Sequence, residues 1–138
     1  MRGFDHEKMD VFQTAIEFVA AADDVVERLP RGRRYLADQL QRAATSVPLN
    51  VAEGAGEFSK KDKARFYRTA LRSATECAAL LQVCQRLELV EGALVVAGRE
   101  LLLRIVAMLT RPSRNMGETL DETPGTGSGS GSGSDSTD

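Results

Sequence analysis

Apolar side chains recur at helical spacing in four stretches of this chain, each closed by helix-breaking residues. The first runs from about Asp5 to Leu29: Phe12, Ile16, Val19 and Val26 mark its stripe, and Ala15, Phe18, Ala22, Val25 and Leu29 widen it. Asp5 is placed to cap it, with Phe4 and Met9 at hydrophobic-staple positions. Pro30 and Gly32 break the chain, and a second helix is expected from near Arg33 to around Glu53, before Gly54 and Gly56. Pro48 falls inside it, removing one hydrogen bond and introducing a kink. In the third stretch Ser59 and Asp62 resemble a capping box. Phe66, Ala70, Ser73, Cys77, Leu80, Cys84 and Leu87 then alternate at steps of four and three, a coiled-coil-like seam. After a link near Leu89–Gly92 the fourth helix reaches about Arg111, where Pro112 stops it.

This pattern predicts an all-α protein, an antiparallel up-down-up-down four-helix bundle over residues 1–116. The stretch Glu100–Leu109 of the fourth helix is apolar around most of its circumference, and such a helix requires burial on two sides. A bundle supplies one side, so the other predicts an oligomer interface; the alternative is that Val96, Leu103 and Ala107 are scattered surface apolars. From about Gly117 composition collapses to Gly, Ser, Thr and acids, with Gly and Ser alternating across 127–134, and residues 117–138 read as a disordered acidic tail.

Composition agrees with helix: 42% of the 138 residues are hydrophobic and 5% aromatic, with no Trp. The apolar fraction excludes wholesale disorder. The formal net charge of −2 argues against nucleic-acid binding until it is resolved along the chain. Residues 118–138 hold five acids and no base, and residues 5–27 hold seven acids against one base. Residues 28–72 hold eleven bases against four acids. The molecule is electrically polarised. No apolar run reaches membrane-spanning length, and the N-terminal residues turn acidic where a signal peptide needs an apolar stretch. Cys77 and Cys84 would lie roughly 10 Å apart along one helix, too far for a disulfide. They read as core thiols of a reducing compartment, and a cytoplasmic location is expected.

Two polar rows stand out. On the second helix Gln39, Arg42, Ser46, Asn50 and Glu53 fall within an arc of roughly 80°, beside the apolar face rather than opposite it. Partly buried polar groups need partners, and Ser73 and Glu76 on the third helix are the candidates, giving a polar network between helices or subunits. The second row is Lys61, Arg65, Arg68 and Arg72, spanning about 16 Å on one helix face and flanked by Lys60 and Lys63. Cations in a line neutralise successive phosphates. The alternative is a solvated face, partly neutralised by Asp62 and Glu76. No aromatic is interleaved for base stacking, so contact with nucleic acid would be to the backbone and weak in sequence preference.

Little supports catalysis. His6 is the sole histidine and reads as a solvent-exposed residue at a helix start, with no second His or Cys at ligand spacing. Glu-x-x-His pairs of di-iron bundles are absent, and Gly54-x-Gly56 is too short to signal phosphate binding. Neither enzyme activity nor a metal or cofactor is expected.

The run Gln39-Leu-Gln-Arg42-Ala-Ala-Thr-Ser46-Val-Pro-Leu-Asn50-Val-Ala-Glu53-Gly54-x-Gly56, followed by Ser59, Arg65-Phe66, Ala70 and Ser73-x-x-Glu76, resembles the 23S rRNA intervening-sequence (S23) proteins. The opening Phe4-Asp5-x-x-x-Met9-x-Val11-Phe12-Gln13 fits as well, so the resemblance covers about residues 4–111. Two positions depart from the family pattern. A basic residue is common where Glu57 stands, and a Gly where Arg72 stands, so the second departure adds a charge to the basic row. The resemblance implies a bundle that forms a ring-like homopentamer; members are encoded within rRNA insertions or elsewhere. A related group, the accessory variability determinants of diversity-generating retroelements, is associated with reverse transcriptase and nucleic acid through a basic oligomer surface. The expectation is a non-enzymatic homo-oligomer that binds RNA or DNA backbone, or a nucleic-acid enzyme, through the basic row. Its rival is a protein-interaction or structural oligomer with no nucleic-acid role.

Overall fold

The computed structural model describes residues 3–111. Its helices are α1 (Asp10–Arg28), α2 (Arg34–Ala55), α3 (Lys60–Arg86) and α4 (Gly92–Thr110), with single 3₁₀ turns at Asp5–Lys8 and Arg31–Arg33. No strand occurs among the described residues. The expected acidic tail, 117–138, lies outside them.

The start of the first helix differs from expectation. Asp5 opens the 3₁₀ turn, and α1 begins at Asp10 with Met9 in extended backbone at its N-cap. Phe4 is 73% exposed and so does not act as a staple. It lies over His6, whose ring meets Phe12 edge-on with centroids 4.5 Å apart. His6 is therefore half-buried rather than solvated, because it shields an aromatic ring that α1 leaves partly uncovered.

The buried face of α1 consists of Val11, Thr14, Ala15, Phe18, Ala22 and Val25, whereas Ile16 is 45% exposed. Ala15 and Ala22 are as buried as Phe18 because neighbouring helices approach closely there. On α3 the buried set is Tyr67, Ala70, Ser73, Ala74, Cys77, Leu80, Leu81 and Cys84. Phe66 is half-buried and Leu87 exposed, so the coiled-coil seam is too narrow a description. Tyr67, Ala74 and Leu81 add a second row, as expected of a helix that packs against two partners.

Helix α2 runs past its expected end. Gly54 is inside it and buried, because a Cβ there would lie 2.6 Å from Cε1 of Tyr67. Glycine at this position admits the tyrosine ring. Pro48 is also buried within α2. Helix α3 closes with Glu88 at φ 56°, the Leu89 N–H donating to Cys84 O and the Glu88 N–H to Gln85 O, each at 3.0 Å. This is a Schellman ending with glutamate in the left-handed position.

Contacts fix how the helices lie against one another. Ser46 meets Ser73 and Gly54 meets Tyr67 between α2 and α3. Gly98 packs against Leu81 of α3 and Phe18 of α1, and Arg104 donates to the buried Thr14 hydroxyl at 3.4 Å. Helices α1 and α3 each pack on both α2 and α4. One core, from Val11 to Leu109, runs through all four.

Candidate nucleic-acid interface

The basic row begins where α3 begins. Ser59 caps the helix, its hydroxyl accepting the Asp62 N–H at 3.0 Å. The Asp62 carboxylate faces Arg65 instead, 3.7 Å from a guanidinium nitrogen. That guanidinium also lies over the Phe66 ring, 4.6 Å from its centroid, which explains how Phe66 is covered outside the core. Both groups of the ion pair are largely exposed, so its contribution to stability is small.

The structure separates the six basic residues by role. Lys63 turns away from the row: its Nζ donates to Ala55 O at 3.1 Å and Gly54 O at 3.3 Å. A cation there meets the last carbonyls and the negative dipole end of α2, where Gly54 O also accepts the Glu57 N–H. Lys60 is half-buried. Lys61, Arg65, Arg68 and Arg72 are exposed on the outer face of α3. Among the described residues Lys61, Arg68 and Arg72 form no ion pair, and Glu76, one turn beyond Arg72, does not neutralise it by contact.

Of the second row, three residues come together. The buried Ser73 hydroxyl donates to Ser46 Oγ at 2.7 Å, and Asn50 Nδ2 donates to Ser46 Oγ at 3.0 Å and Ser46 O at 2.8 Å. Gln39, Arg42, Glu53 and Glu76 make no hydrogen bond or ion pair among the described residues, and Arg42, Glu53 and Glu76 are exposed. Tyr67 escaped the sequence reading. Its signal was the adjacent Phe66-Tyr67 pair together with a glycine one helix earlier.

Cys77 and Cys84 are buried and free. Burial, and secondarily the charge of Glu76, pushes the Cys77 thiol up to about 12, and burial also raises that of Cys84. Neither is a poised nucleophile. Among the described residues no group of three or more His, Cys, Asp or Glu could hold a metal ion, and no helix is long and apolar enough to cross a membrane.

Four packed helices with one cationic outer face and a serine–asparagine chain at the α2–α3 seam define an all-α helical protein. The sequence model of the family described as 23S rRNA-intervening sequence protein matches residues 7–111, and the chain belongs to that family. A comparison with curated proteins gives no match.

Proposed function

We propose that this chain is a non-enzymatic cytoplasmic protein, an antiparallel up-down-up-down bundle that assembles as a homopentamer. It binds RNA or DNA backbone, or an enzyme acting on nucleic acid, through the outer face of α3. The observation that carries the reading is the line of Lys61, Arg65, Arg68 and Arg72, exposed on one face with three of the four in no ion pair among the described residues. A ring of such faces would raise the local potential well above that of one chain.

Combining K61E, R65E, R68E and R72E abolishes binding of a single-stranded RNA oligonucleotide at low salt without unfolding the helices. Replacing Arg68 alone by Gln lowers the slope of log affinity against log salt by about 0.7. Unchanged binding in the fourfold variant defeats the proposal. Native mass and the 260/280 nm absorbance ratio of purified protein test assembly and bound nucleic acid together.

The second reading, an interaction or structural oligomer without a nucleic-acid role, is favoured by α4. Val96 and Leu103 are 52% and 54% exposed there, with Ala93, Ala97 and Ala107 exposed beside them. A pull-down that returns protein alone and is insensitive to nuclease supports it.

A further inference from the structure

We propose that the acidic stretch 118–138 of this chain docks on its own α3 stripe and competes there with phosphate backbones. The competition rests on the reading above; the docking does not.

Charge supplies the first argument. The stripe presents Lys61, Arg68 and Arg72 without ion pairs among the described residues. Residues 118–138 carry Glu118, Asp121, Glu122, Asp135 and Asp138 and no base. The bundle's other acidic run is on α1, which packs chiefly on α2 and α4 and is poorly placed to neutralise the stripe.

Register supplies the second. Gly98 on α4 faces Leu81 on α3. Helix α4 follows α3 through a short link, Leu87–Glu91, so the two run in opposite senses. Both rise about 1.5 Å per residue, which brings Arg111 level with Arg68. Arg111, the last described residue, therefore lies level with the middle of the stripe rather than with its far end.

Reach supplies the third. The outer face of a neighbouring helix is on the order of 15–20 Å away. Glu118, Asp121 and Glu122 follow Arg111 by seven to eleven residues, a contour of roughly 25–40 Å. That length is enough to span to the stripe, and Asp135 and Asp138 follow on more chain still. Tethering holds them at an effective concentration in the millimolar range. Each exposed pair is weak and screened by salt, so the contact is displaceable by a nucleic-acid backbone and suited to raising selectivity for dense polyanions.

The test uses the full chain, ¹⁵N-labelled, with a spin label on the thiol introduced by Thr126→Cys. The buried Cys77 and Cys84 leave that thiol as the accessible one. At low salt the label broadens the amides of Lys61, Arg65, Arg68 and Arg72 more than those of Asp23, Asp24 and Glu27 on α1. Adding E118Q, D121N, E122Q, D135N and D138N removes the difference. Equal broadening of both faces, or broadening that survives neutralisation, overturns the docking. The same neutralised tail, without the label, binds a twenty-residue oligothymidylate about 3- to 10-fold more tightly at low salt than the parent, an effect of the size expected for a few screened pairs. Equal affinities overturn the competition. If neither chain binds, the nucleic-acid reading has failed and the docking is decided by the broadening alone.

Discussion

At the scale of single residues, the tightest constraint is the contact between Gly54 and Tyr67. A Cβ at 54 would meet the ring of a tyrosine with no exposure at all, so neither side can yield cheaply. Gly54→Ala is expected to destabilise the protein by about 1–3 kcal/mol despite the better helix propensity of alanine, as read by urea unfolding. Gly98 is a milder case, since the nearest atom there is a leucine methyl at 3.1 Å. Cys77 carries a pH dependence of definite sign. Its thiol is held up at about 12 in the folded state against an ordinary value of 9.0, so the folded chain retains a proton that the unfolded chain gives up between those values. The contribution is intact below pH 9 and is lost as pH rises toward 12. Urea midpoints at pH 8 and pH 10.5 should diverge in the parent and diverge less in Cys77→Ala.

At the scale of elements, Lys63 belongs to α2 although its sequence position is in α3. Removing its charge in Lys63→Met takes away the donor to the Ala55 carbonyl and leaves Gly54 O with the Glu57 N–H alone. A loss of about 1 kcal/mol is expected, with faster hydrogen exchange at the Gly56 and Glu57 amides. The salt slope of any polyanion binding should stay unchanged, since Lys63 faces the helix end and not the outer row. Helix positions were legible in the sequence because Pro30, Gly32, Ser59 and Pro112 punctuate a strong 3.6-residue period. The choice of buried face was less so. Reading α1 by its largest residues put Ile16 inward, when Ala15 and Ala22 mark the close approach and Ile16 stands out. In α3 the seam through Phe66 missed Tyr67, because a two-partner helix buries a stripe wider than alternating steps of three and four select. Ser73 was legible as the partner of the α2 polar row, since a hydroxyl beside an apolar face needs a neighbour. The separation of Lys63 from its basic neighbours was not, because side-chain direction at a helix start depends on the end of another helix.

At the scale of the molecule, the polarity seen in the charge sequence becomes a spatial one. A cationic outer face on α3 and an acidic α1 each pack between α2 and α4. The match to the 23S rRNA-intervening sequence protein family, over residues 7–111, spans all four helices. The α2–α3 seam also bears on the route by which the chain folds. Gly54 against Tyr67, Lys63 against Ala55 and Ser46 against Ser73 join residues between 8 and 27 positions apart, whereas Arg104 to Thr14 closes a span of 90. Short closures cost less chain entropy, so the α2–α3 hairpin should form before α1 and α4 are clasped around it. In stopped-flow experiments Gly54→Ala should act mainly by slowing refolding, and Thr14→Val mainly by hastening unfolding. The seam that seats one tyrosine would then be the nucleus on which the remaining two helices condense.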